Sequence, residues 1–435
     1  MSDAAPLTAT AGMESAKAPS VLRSLLPVVL RYAFNALGPI SIAGAHFLAA
    51  LVFLHTLSKA DFGLFSFVFV VVPFCLSMTG ALFGAALVNS ANAKEPMTQS
   101  ELAAYLKANL VFCGIAAIVI FAMMLGSTAT PTMAAVVAVY GALMSVRWLA
   151  RCHAYAVHEM ARAIRSDLVY SSFMLAGLGA MLFTHSLTPV TASLLLAASA
   201  FCALLGFGGK FLRAQIAAIY EGSSRAFLPI WRDLARWSLL GVISTEFTAN
   251  AHAYLVTFFS GPKAFALLAL GSLFMRPASL VMQALPDAER ATMARALVAG
   301  KFDQATRAMA HFRVAALCVL AGTAALAAAI MLFFPEFVLK RGYDETSVVI
   351  VICAWIMVMC VRSLRTPDSV LLQAAGEFKS LAAASVRSSL VSVFLTGALL
   401  FAFGPLVSLG GILAGELTMW QRIAVLGRKL RARHV

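Results

Sequence analysis

The chain is 435 residues long, 61% hydrophobic and only 12% charged, with a formal net charge of +14. A soluble domain is close to half apolar and a quarter charged, so that class is excluded. No RNA- or DNA-binding motif accompanies the basic excess, so nucleic acid is excluded as a partner.

The first twenty residues are rich in Ala, Thr, Ser and Pro. They lack the apolar core and cleavage site of a signal peptide and are expected to form a disordered cytoplasmic tail, 1–20. Twelve apolar stretches follow, at about 33–56, 62–88, 108–128, 131–150, 168–185, 190–209, 237–259, 264–286, 314–334, 346–361, 388–404 and 409–427. Most have the roughly 20 residues that cross about 30 Å of hydrocarbon at helical rise; the fifth, tenth and eleventh are shorter. The runs are continuous rather than alternating, which predicts spanning helices and not barrel strands. The fold class is an all-α polytopic membrane protein of about 12 transmembrane helices.

The longest polar gap, 210–236, divides these helices six and six, with EGSSRAF at its centre as the linker. The expected units are an N-terminal lobe, 21–220, and a C-terminal lobe, 221–435. Sliding the chain against itself by 204 residues places Lys59 on Lys263, Pro73 on Pro277 and Leu76 on Leu280. An even number of spans per half gives both halves one orientation, a parallel repeat with a central cavity between the lobes.

Charge sets the orientation. Of 33 Lys and Arg, only Lys59, Lys263, Lys340 and Arg341 fall on one side, Arg276 falls within a span, and the rest fall on the other side. The positive-inside rule makes both termini cytoplasmic, and the net charge then reports topology and contact with anionic membrane lipids. The seven cysteines form no CxxC pair, so neither a disulfide nor a metal site is predicted.

Ionisable groups inside spans are the positions most informative about function, because each is costly unless paired or hydrated. Arg276, directly before Pro277, and Glu246, near Asn250 and His252, lie at similar depth. They are expected to meet, either as a structural salt bridge or as a cavity-facing arginine oriented by a carboxylate. Arg147 stands at the inner end of its span, where snorkelling is the competing account. Glu416 is deep and has no neighbour of opposite charge in sequence, which makes it a candidate for ion coupling together with Glu246. Asn35 and His46 are polar positions in the first span, read as packing groups or as the wall of a hydrated pathway. Prolines 39, 73 and 277 interrupt helical hydrogen bonding and are possible flexure points.

Several absences exclude enzyme classes. There is no phosphate-binding GxxxxGK[ST] loop, no HExxH or GxSxG, and no close carboxylate pair within a span, and nothing calls for a cofactor. The short outer connections leave no room for the catalytic domain of a sugar polymerase or ligase.

The stretches LSKADFGLFSFVFVVVPFCLSMTGALFGAAL, FFSGPKAFALLALGSLFMRPASLVMQALPDAERATMARALVAGKFDQA, FPEFVLKRGYDETSVVIVICAW and SVLLQAAGEFKSLAAASV, in this order, resemble the Wzx-type polysaccharide flippases. These belong to the multidrug/oligosaccharidyl-lipid/polysaccharide exporter superfamily. The resemblance covers the chain from about residue 20, with Phe265 and Leu267 standing where the first half has Asp61 and Gly63. It implies a non-enzymatic flippase of the bacterial inner membrane that turns an undecaprenyl-diphosphate-linked oligosaccharide between leaflets by alternating access. Such a protein serves exopolysaccharide or O-antigen synthesis, with a polysaccharide polymerase and co-polymerase as partners. The alternative is a cation antiporter of the multidrug-extrusion branch, against which stands the lack of a carboxylate in the first six spans apart from Asp167 at an inner edge. A peptidoglycan-precursor flippase is disfavoured by the lack of helices beyond twelve.

Overall fold

Helices stand at all twelve expected positions of the computed structural model, which describes residues 21–84, 86–87, 98–157, 159–221, 223–339 and 342–433, with side chains from Leu37 onward except at 221, 224, 233, 234, 281, 283, 284, 287, 288, 291 and 337. They are α1 (Val21–Thr56), α2 (Lys59–Thr79, continued by a π turn, Gly80–Gly84), α3 (Gln99–Gly126), α4 (Pro131–Ala156), α5 (Met160–Phe183) and α6 (Pro189–Leu205). A connecting helix, Gly209–Glu221, follows. The second half holds α7 (Arg236–Ser260), α8 (Pro262–Phe274, continued past Met275 by Arg276–Val298), α9 (Phe302–Phe333), α10 (Glu345–Ala374), α11 (Phe378–Phe403) and α12 (Leu409–Ala432). The protein is a multi-pass, all-helical membrane protein.

Among the described residues eight of these helices are long and apolar enough to span on that ground alone, and α6 with the connecting helix passes as a pair bent by 91°. The helices that fall short are α7, α8 and α12. Two of them carry Glu246 and Glu416, and the third is broken at Met275, where Pro277 supplies no N–H and its ring conflicts with the carbonyl four residues back. Broken helices persist at membrane depth where they line a cavity, since the freed backbone groups need partners there. The three stretches that looked short lie within helices of 24, 30 and 26 residues, because each helix outruns its apolar segment.

The two halves pack by the same scheme. In the first, α1 packs on α5, α3 on α4, α4 on α6, α5 on α6 and α2 on α4; in the second, α7 packs on α11, α9 on α10, α10 on α12, α11 on α12 and α8 on α10. Lipid supplies no hydrophobic drive between helices, so close approach rests on small residues and side-chain hydrogen bonds. At the α11–α12 contact a Cβ on Gly411 would overlap the Thr396 backbone, and Ser388 Oγ donates to the Gly415 carbonyl at 2.8 Å. Ser392 Oγ likewise donates to the Thr248 carbonyl at 3.0 Å, tying α11 to α7.

The lobes meet most closely at the end that carries the short connections, through α2 against α7 and α8. Phe67, fully buried, sets its ring edge-on against Tyr254, Phe258 and Phe265 of the opposite lobe. Gly63 lies directly on the Pro262 carbonyl, an approach that only a residue without a Cβ permits. Lys59 Nζ donates to the Gly342 carbonyl at 2.8 Å and stands 4.6 Å over the Tyr343 ring, closing the seam at the rim. Beside it Asp344 caps α10 by accepting from Ser347 N at 2.8 Å, which holds its carboxyl below the usual carboxylate range. That cap is complete above the ordinary aspartate pKa and is lost only as pH falls through the lowered value.

Candidate functional site

Between the lobes lies a cavity of about 580 Å³, walled by α1, α2 and α4 on one side and α7, α8 and α10 on the other. Its floor at the short-loop end includes Ala50, Phe62 and Phe265, below the seam just described. Away from that end α1 and α8 meet only sparsely, and Pro39, Pro73, Ser77 and Arg276 are exposed where they line the space.

Four of the six residues singled out from sequence stand on this wall: His46, Arg147, Glu246 and Arg276. Glu416 does not line it, and the side chain of Asn35 lies outside the described residues. The expected meeting of Glu246 with Arg276 does not occur. Glu246 accepts from Tyr254 Oη at 2.8 Å, about two turns along its own helix, and Arg276 has no ion pair or hydrogen bond among the described residues. The reason is the break at Met275: Arg276 opens a new helical segment exposed to the cavity, while Glu246 is satisfied within α7.

Arg147 does not snorkel. It is 1% exposed, donates from Nε to Ser166 Oγ at 3.0 Å, pairs with Asp167 and stands 5.1 Å from the Tyr170 ring centre. Asp167, expected at an inner edge, is fully buried and also faces Arg151 Nε at 3.2 Å. Arg151 is stacked on Trp148 and Tyr155 at about 5 Å. Behind this pair a chain of polar groups reaches the cavity: Tyr140 Oη to Tyr170 Oη at 2.9 Å, and Tyr170 Oη to His46 Nε2 at 2.8 Å. His46 is thus both a bonded group and a wall residue.

The C-terminal lobe has a counterpart that the sequence reading missed. Glu416, 0% exposed on α12, accepts from Arg362 Nε at 2.7 Å and from Arg365 Nε at 2.5 Å. Ending the tenth apolar stretch at 361 had placed both arginines in a cytoplasmic connection. In fact α10 runs to Ala374, and Arg362 lines the cavity. Arg276 is therefore not the only cation at depth. The available signal was spacing: Arg147 and Arg151 at i,i+4, and Arg362 and Arg365 at i,i+3, each put two guanidiniums on one helix face opposite a deep carboxylate. Both pairs stand on helices that hold the same place in their halves, α4 and α10.

Among the described residues the lining therefore holds Arg147, Arg151, Arg276 and Arg362 against Glu246 as its one carboxylate. With Arg365, Asp167 and Glu416 included, five guanidiniums face three carboxylates. A cavity with this imbalance, in low-dielectric surroundings, attracts anions. Among the described residues no group of His, Cys, Asp and Glu is arranged to hold a metal ion.

No protein-family model matches the sequence, and comparison with curated protein sequences gives no match. Solved structures do match. The inward-facing conformation of a multidrug resistance MATE family transporter of the MOP superfamily superposes with a TM-score of 0.68 at 13% identity, over 92% of this chain and 95% of that one. An outward-facing conformation of such a transporter gives 0.62 at 15%, over 93% and 96%. A MOP superfamily transporter from Pyrococcus furiosus, described as having a binding pocket of reverse polarity that suggests a different function, gives 0.61 at 14%, over 93% and 96%. The chain has the two-lobed helical fold of MATE transporters of the MOP superfamily.

Proposed function

We propose that the chain is an exporter that works by alternating access, its two lobes opening the central cavity first to one side of the membrane and then to the other. The fold supports this class, and two of the structures it resembles are described as multidrug resistance transporters, one inward-facing and one outward-facing. For the substrate, the observation that carries the reading is the cavity wall, with four arginines against one glutamate. We infer an amphiphile with a phosphorylated anionic head: an undecaprenyl-diphosphate-linked oligosaccharide moved from the cytoplasmic to the outer leaflet of a bacterial inner membrane. A diphosphate cannot enter hydrocarbon unaided, and guanidiniums replace its hydration with charge-assisted hydrogen bonds. The volume, within the roughly 300–1,000 Å³ of small-molecule sites, suits a head group whose lipid tail stays in the bilayer between α1 and α8. Both termini lie in the cytoplasm by this reading, and the polymerase and co-polymerase act downstream.

The second reading is a multidrug-extrusion antiporter for organic cations. The fold comparisons support it more directly than the lipid-linked substrate, and Glu246 with Tyr254 gives the cavity one acidic point at which a cation would dock.

Proteoliposomes separate the two. With a lipid-diphosphate-linked sugar in one leaflet, wild-type protein is expected to transfer it to the other, and Arg276→Ala to slow transfer about tenfold or more. That is the loss of one hydrogen-bonded charge contact worth roughly 1.5–3 kcal/mol. Export of ethidium without lipid transfer would establish the second reading. Ion coupling is assigned to Glu246, the carboxylate on the wall: Glu246→Gln is expected to make transfer insensitive to a pH gradient, and a variant that still responds as wild type refutes that role.

A further inference from the structure

Glu416 holds Arg362 and Arg365 each by Nε alone, one on each carboxylate oxygen. This leaves the terminal nitrogens of Arg362 uncommitted. Its Nη2 is buried with no hydrogen-bond partner among the described residues, although the residue lines the cavity. Leaving a buried donor of a charged group unsatisfied is costly, so such groups call for a missing acceptor. The pair and its carboxylate also carry one net positive charge, so that acceptor should be an anion.

A second guanidinium stands on the same wall. Arg276, on α8, is exposed to the cavity and unpaired among the described residues. The register of α8 against α10 is fixed between the two arginines: Ser279 Oγ meets Met359 Sδ at 4.0 Å, and Ser363 Oγ meets Met282 Sδ at 4.0 Å. Both helices run from the short-loop end toward the other, so Arg276 and Arg362 lie about six residues apart along nearly parallel axes, roughly 9 Å at helical rise. Two long side chains that far apart converge on opposite ends of a group with two linked anionic centres better than on a single one.

We propose that Arg362, oriented by Glu416 and seconded by Arg365, forms with Arg276 a two-point site for a diphosphate, one guanidinium on each phosphate, which makes the cavity select lipid diphosphates over monophosphates. This rests on the anionic-substrate reading above and deepens it. Glu416 is then a positioning residue: it takes up Nε and leaves the Nη pair of Arg362 to face the ligand.

The test measures binding of undecaprenyl diphosphate and undecaprenyl monophosphate to the full chain in nanodiscs by native mass spectrometry. Wild type is expected to bind the diphosphate at least tenfold more tightly. In Arg362→Gln the diphosphate affinity should fall about tenfold, toward that of the monophosphate, which changes little. Arg362→Lys keeps a cation beside Glu416 and secures the fold; a single-point donor there should still lose most of the discrimination. If either variant, folded and monodisperse, keeps the wild-type ratio, the two-point site is refuted while the anionic-substrate reading stands. If wild-type protein binds neither lipid, the anionic-substrate reading fails, and this site fails with it.

Discussion

Replacing Glu416 by Ala is expected to lower stability by about 3–5 kcal/mol, read as a large drop in thermal midpoint in detergent. The carboxylate is 0% exposed and is the counter-ion of two arginines whose side chains are 23% and 16% exposed. Removing it leaves two guanidiniums in a low-dielectric interior without compensation, which is the expensive way to break a buried pair. The triple change Glu416→Ala, Arg362→Leu, Arg365→Leu removes the charges together and is expected to regain most of the loss, since apolar replacement of a buried ionic cluster is often neutral or better. A single variant melting within a degree of wild type would show that the cluster is hydrated rather than buried. Asp167→Ala should behave alike in the first lobe, because it stands between Arg147 and Arg151 in the same manner.

Gly63→Val should stop transport while leaving the protein folded. In the present conformation the Gly63 Cα lies against backbone, the Pro262 carbonyl, which cannot swing aside as a flexible side chain would. A valine therefore forces α2 away from α8 at the short-loop end and removes the closed state of that seam. The buried Phe67 contacts with Tyr254, Phe258 and Phe265 would part with it. Within each lobe nothing changes, so insertion and helical content should match wild type, while transfer in proteoliposomes falls to background. Normal transfer by this variant would mean that the seam never closes during the cycle.

Much of the fold was legible because bilayer physics restricts the options: a continuous apolar run of the right length becomes a helix. What hydropathy could not show was where charge continues inside a helix. The tenth apolar run stops at 361 because Arg362 ends it, yet α10 continues for more than three further turns, and the arginines that cut the apolar run short belong to the cavity cluster. The partner of Glu416 was likewise invisible, since Arg362 lies 54 positions away in the chain and is brought close only by the packing of α10 on α12. The expected pair of Glu246 and Arg276 failed for the converse reason. Equal depth does not specify azimuth, and a tyrosine two turns along α7 satisfies the glutamate first. Arg276, read either as half of a structural salt bridge or as a cavity-facing cation, stands on the cavity wall without a carboxylate partner among the described residues.

The short-loop seam is expected to open and close around an anion-binding cavity. Spin labels at position 56 on α1 and position 263 on α8, both exposed in wild type, flank that seam from opposite lobes. Pulsed electron spin resonance in nanodiscs should give two distance populations. Undecaprenyl diphosphate should shift their ratio, and Gly63→Val should leave only the longer. One distance, unchanged by the lipid and by the valine, would contradict the account.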